Sequence, residues 1–211
     1  MGDLTTSAIE WGVAMRPRDG ESDSGDGCVV HTVGDTVLVG TVDGLGHGRD
    51  AAVITDLVVQ TLGSFADEHL VALVERCHRL LRGTRGAVMS LARFDSDGEL
   101  TWLSIGNIEG LVIRSIDAGG HPDRNEWLAG APGIVGHRLP PLRPATLHVE
   151  RGDTILFLTD GIDVSADFAS VIRRTDLPRQ IADRVLAARG KREDDALVFV
   201  SRYVGGHVPT P

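Results

Sequence analysis

Apolar positions along the chain change period twice. From Ser7 to Met15 and from Cys28 to Val33 the composition is that of β-strands, and Val37 to Val42 is a short apolar run of the same kind. Between the first two lies a Gly/Asp/Ser-rich loop, Arg18 to Gly27, which carries Asp19, Glu21, Asp23 and Asp26. After Gly48 the period lengthens to that of a helix. Ala51, Ile54, Val58, Leu62 and Phe65 share one face, and Leu70, Leu73, Cys77 and Leu81 share another, which predicts two successive helices. Gly83 and Gly86 punctuate the end of the second. Ala87 to Phe94, Leu100 to Ile105 and Leu111 to Ile116 then read as consecutive strands, with Asp97-Gly98 turning between the first two. The stretch from Ala118 to Pro144 is rich in Gly and Pro and predicts a loop with one short strand near Trp127. Thr146 to Glu150 and Thr154 to Thr159 are predicted to form a hairpin, Pro178 to Arg189 an amphipathic helix through Ile181 and Val185, and Ala196 to Val204 a buried closing strand. Strands that group together, with helices grouped after them, predict an α+β layered sandwich rather than an alternating parallel sheet.

Composition narrows the picture. A chain of 211 residues with 42% hydrophobic and 24% charged residues can build a core, and its length suits one domain, here residues 1–204 with a flexible tail at 205–211. Aromatics, at 4%, leave that core to Val, Leu, Ile and Ala. With 21 basic against 30 acidic residues the formal net charge is -9, which speaks against nucleic acid as a partner, because phosphate-backbone affinity comes from clustered Lys and Arg. No apolar run reaches the roughly 18 residues of a membrane span, and the first residues lack the basic-then-apolar layout of a signal peptide, so a cytoplasmic protein is expected. Cys28 and Cys77 are the only cysteines; both fall within apolar patterns and are expected as free thiols.

The chemistry lies in the acidic residues. Asp-Gly pairs occur at Asp19, Asp26, Asp43, Asp97 and Asp160, and such a pair ordinarily marks a tight turn, as at Asp97. Asp43 and Asp160 differ: each terminates an apolar run, and neither is followed by a strand at hairpin distance. A third acidic site, Glu193-Asp194-Asp195, stands immediately before the apolar strand that begins at Ala196. If these carboxylates converge, their repulsion raises their pKa values unless a cation neutralises them, and oxygen ligands select hard ions such as Mg²⁺ or Mn²⁺. The scattered histidines give no zinc spacing.

Other site classes fit less well. Asp43-Gly-Leu-Gly-His-Gly48 is a glycine-rich turn between strand and helix, yet its G-x-G-x-G spacing is not that of a dinucleotide loop, and no Lys-Ser/Thr ends a P-loop. A G-x-S-x-G nucleophile elbow is absent.

Taken in order, Ser24-Gly-Asp26, Val42-Asp-Gly-Leu-Gly-His-Gly48, Leu158-Thr-Asp-Gly161 and Glu193-Asp-Asp-Ala-Leu-Val198 resemble the metal-dependent protein phosphatases (PPM, or type 2C), in the bacterial branch that contains the sporulation stage II protein E phosphatase. Glu75-Arg-Cys-His, Thr84-Arg-Gly-Ala-Val and Leu103-Ser-Ile-Gly-Asn107 add a narrower similarity, to the small stressosome phosphatases of that branch. The likeness spans about residues 10 to 204. It implies a β-sandwich of two mainly antiparallel sheets flanked by helices, with a site for two divalent ions, Mn²⁺ or Mg²⁺, at one end. By that resemblance Asp43 would bridge both ions, the Gly44 carbonyl would help hold one, Asp160 and Asp194 would hold the other, and Asp26 would bind a metal or its water. Asp43, Asp160 and Asp194 are thus the implied catalytic set, with Asp195, Asn107 and His47 in support. Relatives that carry a His directly after the Asp-Gly use it as a general acid; here that position is Leu45, His47 is the nearby candidate, and Arg18 is a candidate phosphate clamp.

The activity so implied is that of a serine/threonine protein phosphatase acting on a phosphorylated bacterial stress-signalling protein, a stressosome scaffold or an anti-sigma antagonist, as a negative regulator of the general stress response. Two alternatives remain at this level: a catalytically weak regulator that binds its partner on the same fold, and a nucleotide-binding regulator built on the Gly44 to Gly48 loop.

Overall fold

Strands that are apolar on both alternating faces need cover on both sides, and the architecture follows from that demand. A computed structural model describes residues 4–5, 8–115, 125–164, 172–173 and 175–205. In chain order its elements are β1 (Leu4–Thr5), β2 (Ile9–Arg16), β3 (Asp26–Val33), β4 (Thr36–Gly44), α1 (Gly48–Ser64), α2 (Leu70–Leu80), β5 (Ala87–Phe94), β6 (Glu99–Ile105), β7 (Glu109–Ile113), β8 (Glu126–Leu128), β9 (Ala145–His148), β10 (Thr154–Leu158), α3 (Pro178–Arg189) and β11 (Ala196–Tyr203). They form a six-stranded sheet in the order β1-β2-β11-β10-β7-β8 and a five-stranded sheet in the order β3-β4-β5-β6-β9. Neighbouring strands in both are antiparallel. The expected α+β sandwich is the one observed.

Three apolar layers hold the sheets and helices together. Val37, Val39, Phe94 and Leu100 of one sheet meet Ile155, Phe157, Leu197 and Phe199 of the other. Leu38, Val42 and Leu91 point the opposite way and pack under Ile54, Val58 and Leu62 of α1 and Leu73 and Cys77 of α2. On the far side Leu156, Leu158 and Val198 pack under Ile181 and Val185 of α3. Cys28 and Cys77 are free, and burial pushes the Cys77 thiol up to about 12. Among the described residues no helix is long and apolar enough to cross a membrane.

The predicted hairpin of residues 146–159 does not form. Strand β9 pairs with β6 in one sheet, whereas β10 lies between β7 and β11 in the other. A turn signal marks a change of direction, not the sheet that the next strand joins. Burial decides: β10 is buried at every position and takes a central place, while β9 is largely exposed and takes an edge. The link between them is pinned by Asp153, only 1% exposed, which accepts hydrogen bonds from Arg114 Nη1 (2.8 Å), Ser115 N (2.7 Å) and Glu150 N (3.0 Å). Two smaller differences bear on the site. Strand β3 starts at Asp26, inside the predicted loop, and β4 runs on to Gly44, so Asp26 and Asp43 face one another as register partners. The strand predicted to Ile116 ends at Ile113 among the described residues; Ile116 and the predicted tail beyond Gly205 lie outside them.

Asp153→Ala removes a buried acceptor of three hydrogen bonds and leaves the Ser115 and Glu150 N–H groups without it, so it should cost about 3 kcal/mol of stability. Asp97→Asn, in the exposed turn between β5 and β6, should stay within about 0.5 kcal/mol of the parent. Urea unfolding of the two variants checks both values.

Candidate active site

The open end of the sandwich collects the carboxylates. Asp43 ends β4, Asp160 follows β10, and Asp194 precedes β11; these three line one cavity of about 560 Å³. Leu45, Val88, Pro132 and Ile134 supply its apolar wall, and Asn107 lies among its polar residues. The sequence expected this convergence of Asp43, Asp160 and Asp194, and the fold brings it about by ending two central strands and beginning a third at the same edge.

Backbone and side-chain donors hold the cluster in place. Asn107 Nδ2 donates to Asp160 Oδ2 at 2.8 Å, and Lys191 Nζ donates to the Asp160 carbonyl at 2.6 Å. Asp26 is buried, 4% exposed, and accepts from Thr159 Oγ1 at 2.7 Å; Leu197 N donates in turn to Thr159 Oγ1 at 2.8 Å. Asp195 has both oxygens engaged, Oδ1 by Arg18 N and Oδ2 by Gly25 N, each at 2.8 Å. It therefore clamps the loop of residues 18–25 beside the site. Thr55 Oγ1 of α1 holds the Gly25 carbonyl from the other side. Arg18 contributes its backbone to this clamp. His47 stands apart: its Nδ1 lies 3.0 Å from Glu21 Oε1 at the start of α1, and it is not among the residues lining the cavity. Thr159, Thr55 and Lys191 are absent from the sequence-derived set; only Thr159, directly before Asp160, carried a signal there.

The glycines separate site from turn. Gly20 and Gly98 have left-handed backbones, φ +93° and +92°, as tight turns require. Gly44 and Gly161 do not, and are needed for room instead. A Cβ on Gly44 would sit 2.6 Å from the Ala51 carbonyl oxygen of α1, and one on Gly161 would collide with the Asp195 carbonyl oxygen. Thus Asp-Gly at 43 and at 160 marks close approach of two backbones at the site.

Crowded, buried carboxylates resist ionisation. Burial, then the charges of Asp160, Asp194 and Asp195, push Asp43 up to about 8. Burial and then Asp43 raise Asp26 well above the ordinary carboxylate range, and burial and then Asp160 raise Asp194. Such a cluster suits a hard cation, because all its donors are oxygen. Among the described residues no three His, Cys, Asp or Glu side chains close into one ligand set. One or two carboxylates per ion, with water and phosphate oxygens completing the shell, is the manner in which Mg²⁺ is held.

Comparison with known proteins gives this geometry a family. A profile of stage II sporulation protein E (SpoIIE) matches residues 34–204. The chain belongs to the SpoIIE family. It is 24% identical over 184 residues to the phosphoserine phosphatase RsbX of Bacillus subtilis (strain 168), covering 84% of this chain and 86% of that protein. A structure from work on the bacterial stressosome, as a modular system adapted to control secondary messenger signalling, superposes with a TM-score of 0.82 at 32% identity, over 92% of this chain and 99% of that one. RsbX in complex with magnesium superposes with a TM-score of 0.82 at 20% identity, over 96% and 98% of the two chains. The SpoIIE-family fold is therefore the sandwich that the ordered motifs implied.

The raised Asp43, together with the raised Asp26 and Asp194, shapes the pH response of metal-free protein. Its folded pKa lies above the unfolded value near 3.8, so the unfolded chain releases the proton first. The associated stability is present below about pH 4 and is lost as pH rises towards 8. Thermal melts in chelator should show this decline over that window, and Asp43→Asn should make it shallower.

Proposed function

We propose that this SpoIIE-family phosphatase hydrolyses phosphoserine or phosphothreonine on a folded signalling protein with the help of two divalent ions, Mn²⁺ or Mg²⁺. The observation that carries the reading is the convergence of Asp43, Asp160 and Asp194 on one cavity. The names of its relatives support it: a phosphoserine phosphatase, and a structure from the stressosome. The substrate is then a phosphorylated stressosome scaffold or anti-sigma antagonist, and its dephosphorylation makes this single unit of residues 1–204 a negative regulator of the general stress response.

Asp43, the Gly44 carbonyl, Asp160 and Asp194 would hold the ions, with Asp26 behind Asp43. Bound there, the ions supply the Lewis acidity and the lowered water pKa that phosphate-monoester hydrolysis requires. Asn107 holds one oxygen of Asp160 at the cavity that both residues line. Asp195, through Arg18 and Gly25, keeps the loop of residues 18–25 packed beside Asp26. Val88, Pro132 and Ile134 form an apolar side of the cavity. Asn107 and Asp195 are positioning residues.

Phosphate release from a phosphoserine peptide should require Mn²⁺ or Mg²⁺ and stop in excess chelator. Asp160→Asn keeps the shape but loses the charge, and should lower kcat at least about a hundredfold with an unchanged circular dichroism spectrum. Asn107→Ala should weaken metal affinity about tenfold to a hundredfold, read as a shift in the metal concentration for half-maximal rate. Turnover that persists without a divalent ion would refute the reading.

A further inference from the structure

The charge of the chain is unevenly placed. Residues 76–85 and 134–143 together hold six of the 21 basic residues and two of the eight histidines, and none of the 30 acidic ones. Both segments lie against the cavity. Gly133 and Ile134 line it, and the turn after α2 is tied to it through Leu45 N, which donates to the Gly86 carbonyl at 3.0 Å. The two segments are also bound to each other: Gly136 N donates to His78 Nδ1 at 3.0 Å, His137 Nε2 lies 2.9 Å from the Thr84 carbonyl, and Ala87 bridges Val135. Partial burial, followed by the charges of Arg82, Arg79 and His137, holds His78 below the ordinary imidazole value. These cations are thus crowded onto one surface.

Little neutralises them. Arg76 is taken up by Glu68, and Arg85 lies 3.7 Å from Asp50 at the cavity rim, where a Cβ on Gly46 would come within 2.6 Å of its Nη1. Arg79, Arg82, Arg138 and Arg143 are exposed, and among the described residues none of them takes part in an ion pair. Exposed like charges repel one another and gain nothing by being gathered, unless an opposite charge meets them.

We propose that this flank, with Arg79, Arg82 and Arg138 at its centre and Arg85 at its inner edge, docks an acidic surface beside the phosphorylated residue of the substrate protein. The proposal rests on the phosphatase reading and names the substrate's chemistry: carboxylates next to the phosphorylated residue. A protein of net charge -9 would otherwise disfavour acidic substrates, so the flank reverses locally what the whole chain dictates.

The probes are two phosphoserine peptides of equal length, one flanked by Asp and Glu and the other by Asn and Gln, assayed with the wild type and with the double variant Arg82→Glu/Arg138→Glu at saturating Mn²⁺. The wild type should favour the acidic peptide in kcat/KM about tenfold at low salt, an advantage that falls as salt rises. The double variant should lose that preference through KM while keeping its rate on the neutral peptide within twofold. Equal rates on the two peptides in the wild type, or a preference that survives in the variant, would overturn the proposal. So would a labelled RNA that competes with the acidic peptide at equal concentration, since the flank would then be a general polyanion surface. Should the wild type turn over neither peptide nor p-nitrophenyl phosphate, the phosphatase reading fails. The flank is then judged by fluorescence anisotropy of the acidic peptide: weaker binding in the variant upholds it, and equal binding overturns it.

Discussion

Crowding of carboxylates at one end of the sandwich is the constraint on which the rest of the structure depends. Asp26 and Asp43 face each other across β3 and β4, and Asp160 and Asp194 arrive from the ends of strands in the other sheet. Burial first, and then the neighbouring charges, raise Asp43 and Asp26, so left to themselves these groups would move apart or take up protons. The sandwich prevents separation because Asp43, Asp160 and Asp194 are fixed to the ends of strands whose interiors are buried. Residues 154–158 are buried throughout, and so are residues 196–201. The large apolar area removed from water on both faces of these strands offsets the cost of gathering like charges at one edge.

The gathering also needs an inner scaffold of neutral donors. Thr159 bridges Asp26 to the backbone of Leu197 and so links the two sheets beside the acidic cluster. Asp195 accepts a backbone N–H on each of its oxygens and so is tied to the loop of residues 18–25, although it adjoins Asp194 in sequence. Adjacent acids in one motif therefore do different work: one faces the cavity, and the other organises the loop beside it.

Much of this was legible in the sequence because strand ends leave a signature. Apolar runs that stop at Asp43 and Asp160, and one that starts after Asp195, showed where three acids abut the core without any knowledge of pairing. The same reading had no means of placing Asp26 in a strand, since Gly25-Asp-Gly27 has the composition of a loop; only cross-strand pairing with Asp43 makes it regular. The hairpin of residues 146–159 failed for a related reason. Local turn chemistry at Arg151-Gly152 describes a reversal, whereas the choice of sheet was made by distant partners, β6 for one strand and β7 with β11 for the other. Thr55 and Lys191 were invisible for the same cause, being brought to the site only by the packing of α1 and by the turn that follows α3.

Glycine explains why the acidic motifs are short. Where the Gly of an Asp-Gly pair serves a turn, its backbone is left-handed, and Asn or another small polar residue is an ordinary alternative. At Gly44 and Gly161 the constraint is space against the Ala51 and Asp195 carbonyl oxygens, which any side chain would violate. The glycine lets a strand end pass so close to a helix or a neighbouring strand that the preceding aspartate is carried into the cluster. Asp and Gly act at these two positions as one unit, the acid supplying charge and the glycine supplying approach. Their order in the chain follows from the direction of the strands: both β4 and β10 run towards the acidic edge, so the acid comes as the strand ends and the close crossing comes one residue later.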